Sequence, residues 1–273
     1  MARELGFVEA MERDLLTVRR KALWRPFVRA VRSYELLQPG DRVAVCVSGG
    51  KDSLMLAVLM RLLKRHFEIP FEARCLIMDP GYSPENRATV EASARRLGLD
   101  YTLVESDVFE AAAIREKHPC FMCARMRRGC LYRHARELGC NKLALGHHFD
   151  DVVETTLMAM LYGGQVQAMP PRLRAKNAPG MEVIRPLYRV RERDIVNWQE
   201  AYALKCPRCA CRLARREEDS ARSAVKALIA RLDAQNPRVS QNIFNSIHTV
   251  QLDTLVEWKY RGEHHSFLEG LEE

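Results

Sequence analysis

The chain has 273 residues, 47% hydrophobic and 29% charged, enough to bury a sizeable core in one large domain or a domain with appendages. No run approaches eighteen apolar residues, which excludes a helical membrane span, and 14 Gly with 12 Pro are too few for a collagen-like or disordered chain. Lys and Arg outnumber Asp and Glu by 43 to 35, a net charge of +8 that favours a polyanionic partner.

In chain order, residues 8–34 read as helix, with Val8, Met11, Leu15 and Val18 on apolar spacing and Pro26 either kinking it or starting a second helix. From Leu15 to Tyr34 there are six basic residues and no acidic ones. Arg25, Arg29 and Arg32 share one face, which is either a solvated surface or a phosphate-contacting one. A turn at Gln38-Pro39-Gly40-Asp41 opens a series of short apolar strands and amphipathic helices. The strands are expected at 42–47, 72–78, 101–104 and 142–146, with one more at 181–185. The helices between them are expected at 53–66, 84–97, 124–138 and 150–161, followed by 191–204, 217–233 and 239–256. Strands alternating with helices indicate βαβ units, hence an α/β fold with a parallel sheet of about five strands covered by helices. The segments divide as 1–37, helical and basic, 38–212, the α/β domain, and 213–273, helical.

The first strand runs into Ser48-Gly49-Gly50-Lys51-Asp52-Ser53 and then a helix. Two glycines permit close backbone approach, and the following N–H groups and helix dipole favour a phosphate. Lys51 adds a cation, and Ser48 and Ser53 add hydroxyl donors. Val45 and Asp52 stand where a Walker loop needs Gly and Ser or Thr, so this is a different phosphate loop.

Nine cysteines in a chain without an export signal point to metal or redox chemistry. The acidic residues Glu4, Glu9, Glu12 and Asp14 are wrong for a cleaved signal peptide, and a cytoplasmic location is expected. Cys120-Phe121-Met122-Cys123 is one CxxC; Cys206-Pro207-Arg208-Cys209 is another, with Cys211 beyond it. A CxxC turn lets two thiolates reach one metal. Three readings stay open: a structural zinc on Cys120, Cys123, Cys206 and Cys209, a redox dithiol, or an iron–sulfur cluster held by three cysteines with one iron open. Cys46, Cys75, Cys130 and Cys140 read as buried apolar residues.

SGGKDS after a first strand resembles the pyrophosphate loop of the N-type ATP pyrophosphatases, which cleave ATP between its α- and β-phosphates and adenylate a carbonyl oxygen. The stretch CFMCARMRRGCLYRHARELGCNKLALGHHFDDVVETTLMAMLYGG, followed by MPPRL, VIRPL and the later CPRC, resembles the tRNA 2-thiocytidine synthetase family (TtcA type). The match runs from about residue 38 to 210, and the tail beyond it diverges. The resemblance implies a Rossmann-like, adenine nucleotide alpha hydrolase-like fold that uses ATP, Mg2+ and a [4Fe-4S] cluster. By motif, Ser48 to Ser53 would hold ATP, Cys120 and Cys123 would be cluster ligands, and Cys209 the third, with Cys206 in reserve and Cys211 a spare thiolate.

Under that resemblance the loop positions ATP, and Asp52 and Asp151 are candidate Mg2+ carboxylates. Asp79, at the end of the second strand, is placed to approach the nucleotide or base. His147 and His148 are either nucleotide or base contacts or strand-end histidines satisfied by hydrogen bonds. The implied partner is tRNA, with Arg125, Arg127 and Arg128 and then Arg172, Arg174 and Lys176 as phosphate contacts. The sulfur donor, free sulfide or a persulfide carrier, is not specified by the sequence. A homodimer is an expectation, because the terminal helices need cover for their apolar faces. Two alternatives remain: the same chemistry on another tRNA base or a small metabolite, and a zinc-stabilised RNA-binding module.

Overall fold

A computed structural model of the chain describes residues 6–113, 119–207 and 221–271. At its centre is strand β1 (Arg42–Val47), whose RVAVCV sequence is buried at every position after the first. Such a continuous apolar run is what a parallel strand covered on both faces requires. β2 (Glu72–Asp79), β3 (Tyr101–Glu105), β4 (Lys142–Ala144) and β6 (Glu182–Ile184) join it in parallel, and β5 (Arg172–Arg174) closes one edge antiparallel. The order is β3-β2-β1-β4-β6-β5, so the chain reverses its direction of sheet-building between β1 and β4. Open α/β sheets bind ligands in the crevice beyond the carboxyl ends of strands at such a switch point.

Helices α3 (Lys51–His66), α4 (Pro84–Arg96), α5 (Val108–Ala113), α6 (Pro119–Glu137), α7 (Phe149–Gly163) and α8 (Glu192–Ala201) alternate with the strands or follow them. α3 buries Ser53 to Met60 without interruption, so it is packed on nearly all sides. α6 covers the opposite face, where Leu131, Tyr132 and Ala135 meet Ala44, Cys46, Leu143 and Val183.

The sequence expectations are corrected in four places. The first helix is α1 (Phe7–Leu16) and α2 (Arg25–Ser33), joined through a π-helical turn at Arg20–Trp24, with Pro26 in the first turn of α2. The sheet gains β5, a sixth strand. The expected helix at 239–256 ends early: α9 (Ala221–Gln235) and α10 (Val239–Ser246) are followed by a hairpin of β7 (Glu257–Tyr260) and β8 (Glu263–Ser266). Cys120-Phe121-Met122-Cys123 lies at the start of α6 rather than in a turn, so the Cys120 and Cys123 positions are one helical turn apart.

The apolar faces of the N-terminal helices are covered within the chain, while Val250, Leu252, Val256, Phe267, Leu268 and Leu271 of the C-terminal segment are exposed. Met11, Leu15, Leu23, Phe27 and Val31 are buried in the chain's own core, and α9 and α10 pack against α7, with Phe149 stacked on Phe244 at 4.5 Å. Among the described residues no helix is long and apolar enough to cross a membrane.

Candidate active site

The loop from Ser48 to Ser53 leaves the carboxyl end of β1 and becomes the first turn of α3. Gly49 has φ +81°, a conformation that L side chains rarely adopt, and Val90 of α4 packs directly against it. Gly50 is the N-cap, and no side chain caps the helix, so the positive end of α3 faces the crevice. Ser53 ties the loop shut from within: its Oγ donates to the Gly50 carbonyl at 2.8 Å and accepts from the Ser48 N–H at 3.1 Å. Tyr82 donates its hydroxyl to the Ser48 carbonyl at 3.0 Å. Gly146, at the end of β4, lies against the backbone of Asp52 and Ser53, where an added Cβ would meet Asp52 C and Ser53 N at 3.1 Å.

Charges converge on this turn. The Lys51 ammonium donates to Asp52 at 3.1 Å and to Glu192, in the first turn of α8, at 3.0 Å. Lys226 of α9 reaches the other Glu192 oxygen at 2.7 Å. Burial pushes the Glu192 carboxyl up, but hydrogen bonds from Lys226 and Lys51 override it and hold the pKa at about 2. Burial works against the Lys51 charge, and Asp52 and Glu192 outweigh it, so its pKa rises. Asp52 behaves differently: burial raises its pKa, against His148 and Lys51, and its Oδ1 is buried with no hydrogen-bond partner. Glu192 is therefore the firmer counter-ion of Lys51, and Asp52 is the carboxylate with capacity to spare.

His148 is the N-cap of α7. Its Nδ1 accepts from the Asp151 N–H at 3.3 Å, and Asp151 Oδ2 accepts from the His148 N–H at 2.9 Å. The same ring brings Nε2 to 3.7 Å from Asp52 Oδ1, so His148 stands between the two candidate Mg2+ carboxylates. Arg222 of α9 pairs with Asp151 at 3.0 Å and with Glu154 at 2.8 Å. The two carboxylates suit Mg2+, which is usually held by one or two carboxylates together with substrate phosphates. Among the described residues no group of three His, Cys, Asp or Glu side chains forms a ready-made metal cage.

A cavity of about 600 Å³ extends from the loop under α6; its polar wall is Arg127, Arg128, Tyr132, His147 and Arg185, with Leu131, Met169 and Leu173 among its apolar lining. Arg185 is 9% exposed; it donates to the Pro170 carbonyl at 2.5 Å, while its Nε is buried without a partner. Burial lowers its pKa to about 10. Burial, and then the Arg185 charge, lower the His147 pKa from 6.5 to about 4, and its Nδ1 is also buried and unpartnered. A neutral imidazole beside an unsatisfied guanidinium can receive a planar group with both donors and acceptors on its edge.

Of the residues singled out in the sequence, Ser48, Gly50, Asp52, Ser53, His147 and Asp151 line this cavity, and Lys51 lies at its rim through its bond to Asp52. Asp79 does not line it. Its Oδ1 accepts from the Gly81 and Tyr82 N–H groups at 2.9 and 2.6 Å, closing the loop that carries Tyr82 to Ser48. Asp79 is thus a positioning residue for the phosphate loop.

Arg127 and Arg128 face the cavity, but Arg172 does not. It is bonded to both Glu182 oxygens at 2.9 and 3.0 Å, and Arg174 and Lys176 lie toward the amino ends of the strands, opposite the phosphate loop. Cys206 sits against the first turn of α3. Burial raises its thiol pKa, opposed by the Lys51 charge and by the Lys51 backbone N–H directed at its sulfur. Cys123 is half-buried on α6. The Cys120 side chain, Cys209 and Cys211 lie outside the described residues. Glu192, Arg185, Arg222 and Tyr82 were not singled out in the sequence; only the acidic first turn of the helix at 191–204 hinted at Glu192.

Residues 20–206 match the PP-loop domain family. The tRNA-cytidine(32) 2-sulfurtransferase of Aeromonas hydrophila is 35% identical over 260 residues, covering 92% of this chain and 83% of that protein. The enzyme of the same name from Alcanivorax borkumensis is 36% identical, covering 91% and 88%. Among solved structures, a U34-tRNA thiolase from Methanococcus maripaludis with its [4Fe-4S] cluster superposes with a TM-score of 0.64 at 23% identity, over 89% of this chain and 83% of that one.

Proposed function

As a member of the TtcA-type tRNA 2-thiocytidine synthetase family, within the PP-loop superfamily, the chain is an enzyme, and we propose that it thiolates tRNA by adenylating the C2 carbonyl oxygen of a cytidine and replacing that oxygen with sulfur. The observation that carries this reading is the junction of three elements at one turn: the uncapped start of α3, the unpartnered Asp52 Oδ1, and the Cys206 sulfur against the Lys51 N–H.

A ring carbonyl resists substitution because its oxygen would have to leave as hydroxide or oxide. Adenylation by ATP makes that oxygen part of AMP, with pyrophosphate released; sulfide then adds at C2 and AMP departs. The N–H groups of Gly49 and Gly50 and the Ser48 hydroxyl hold the β,γ-phosphates, and the Lys51 ammonium moves from Glu192 toward the departing pyrophosphate. Asp52 and Asp151 would hold Mg2+, which would offset charge on the leaving group. His147 and Arg185 hold the edge of the base, and Arg127 and Arg128 hold the flanking RNA phosphates. A [4Fe-4S] cluster on Cys120, Cys123 and either Cys209 or Cys206 would supply the bound sulfide. The Lys51 charge and N–H beside Cys206 favour its thiolate, but burial and Asp52 outweigh them and keep the thiol pKa raised in the free protein.

The test is purification without oxygen, metal analysis, and incubation with tRNA, ATP, Mg2+ and sulfide, followed by nucleoside mass spectrometry. About four irons and four sulfides per chain, with ATP-dependent 2-thiocytidine, is the expected result. One zinc, no iron and no thiolated nucleoside would replace this reading with a structural-metal one.

A further inference from the structure

Far from the phosphate loop, α1, the π-helical turn, α2 and the last turn of α3 enclose a groove of about 660 Å³. Arg20, Arg25, Arg29, Arg32 and His66 line it, and no Asp or Glu does. Several arginines nearby and elsewhere are closely paired, such as Arg19 with Asp14 at 2.7 Å, Arg61 with Glu12 at 2.8 Å, and Arg172 with Glu182 at 2.9 Å. In the groove only Arg32 has such a partner, Glu68 at 2.9 Å, and that pair is 60% and 58% exposed. Among the described residues Arg20, Arg25 and Arg29 have no carboxylate within salt-bridge distance.

Like charges at i and i+4, as in Arg25 and Arg29, weaken a helix by a few tenths of a kcal/mol, about 0.2–0.5. The core does not need them, since α2 is anchored on its other side by Phe27, Ala30 and Val31. A concave surface of one sign, with no internal partner, fits a chain of phosphates. Along α3 the groove's lining residues Leu63 and His66 lie about 18–22 Å from Lys51, so it is not part of the cavity proposed to hold the reacting base.

We propose that this groove binds the phosphate backbone of a helical arm of the same tRNA whose target base enters the cavity under α6. The proposal rests on the tRNA reading above. The groove supplies docking energy and orientation without touching the chemistry, because helical RNA is held chiefly through its backbone and shape.

The test compares the full-length protein with a triple variant, Arg20→Ala, Arg25→Ala and Arg29→Ala, and with the matching triple Lys variant. Three lost phosphate contacts should reduce the slope of log affinity against log salt by about 2–3, and weaken full-length tRNA at least tenfold at moderate salt. The KM for tRNA should rise, while kcat at saturating tRNA, ATP affinity and binding of a short single-stranded oligonucleotide bearing the target base stay unchanged. The Lys variant should retain binding, which separates charge from folding.

Equal weakening of tRNA and oligonucleotide would overturn the proposal, as would an unchanged salt slope. An altered oligomeric state with unchanged tRNA affinity, read by sedimentation, would make the groove an interface between copies instead. If wild-type protein binds tRNA with the expected groove dependence but forms no thiolated base, the catalytic reading fails and the groove stands. If it binds no tRNA, both fail.

Discussion

Gly49→Ala puts two separate costs on one residue. At φ +81° an alanine lies in the left-handed region, a penalty of roughly 1–2 kcal/mol. Its Cβ would also stand 3.1 Å from Val90 Cγ1 and overlap Cγ2 more closely. Val90 cannot step aside easily, since it is 1% exposed, β-branched and inside α4, where one χ1 rotamer dominates. Forcing a methyl into such packing costs about 1–3 kcal/mol. Together these give about 2–5 kcal/mol, a large part of the roughly 5–15 kcal/mol that holds a typical domain folded.

Gly50→Ala is the internal control, because its nearest contact would be Ser48 Oγ at 3.7 Å and its φ is −70°. The assay is a double-mutant cycle in chemical denaturation and ATP binding, with Gly49→Ala, Val90→Ala and the pair. Val90→Ala alone should destabilise by a cavity, while the pair should recover the packing part of the Gly49→Ala loss and leave the φ part. Additive losses, with no coupling between 49 and 90, would refute the steric argument. A Gly49→Ala protein equal to Gly50→Ala in stability and ATP affinity would refute both parts.

Other outcomes follow from the same geometry. Lys51→Ala and Asp52→Ala should abolish AMP formation from ATP and tRNA while leaving iron content intact. Cys123→Ala should do the reverse, keeping ATP binding and losing iron and thiolation; full thiolation in that variant would remove the cluster from the mechanism. Glu192, held at about 2, contributes stability that is complete above its ordinary 4.5 and is lost as pH falls through about 2. The stability gap between wild type and Glu192→Gln should therefore narrow between pH 5 and 2, and a constant gap would contradict the ion pairs. His147, lowered to about 4, likewise contributes stability present above 6.5 and lost as pH falls through about 4. His147→Gln should flatten unfolding free energy against pH across that window, measured by urea titration at half-unit steps.

What could be read from the sequence was what neighbouring residues determine. RVAVCV is apolar at every position after the first and is followed by two glycines, so both the buried strand and the phosphate turn were visible locally. β5 was not, because three residues reading Arg-Leu-Arg carry no periodicity and form a strand only by pairing with β6. The β7–β8 hairpin turns at Arg261 and Gly262, with φ of 54° and 98°, and only the glycine is a local signal for it; the apolar spacing of 239–256 reads on as helix past the end of α10 at Ser246. Asp79 was read from its place at a strand end. Whether such a carboxylate faces the ligand or its own loop depends on the next residues, and here Gly81 and Tyr82 turn back onto it. The Glu192 and Arg222 contacts join residues 141 and 71 positions apart, which no local pattern reveals.

Those long-range contacts explain how the site can keep Asp52 incompletely paired. A buried acceptor without a partner costs about 1–3 kcal/mol, and more when charged, so a fold tolerates Asp52 Oδ1 only if its neighbours are already committed. Glu192 holds Lys51, Lys226 holds Glu192, and Arg222 holds Asp151, so the α9 cations Arg222 and Lys226, one turn apart, are engaged by carboxylates around the phosphate turn. Helix α9 is in this sense part of the surroundings of the phosphate loop: it supplies counter-charge to the acids around it, and it lies within the stretch aligned with the relatives, which covers 92% of the chain for the Aeromonas hydrophila enzyme. Under the proposed function, a phosphate and Mg2+ arriving at Lys51 and Asp52 would satisfy Asp52 Oδ1, and the ion pairs already in place would restrict how far the rest must move. Removing Lys226 should therefore raise the ATP KM more than it lowers thermal stability, because Lys226 is 58% exposed and an exposed pair of that kind contributes only about 0–1 kcal/mol to folding, whereas Arg222 also neutralises the buried Glu154 and its loss should cost stability as well. A Lys226→Ala protein that lost stability in proportion to its loss of ATP affinity would show that α9 merely holds the fold together.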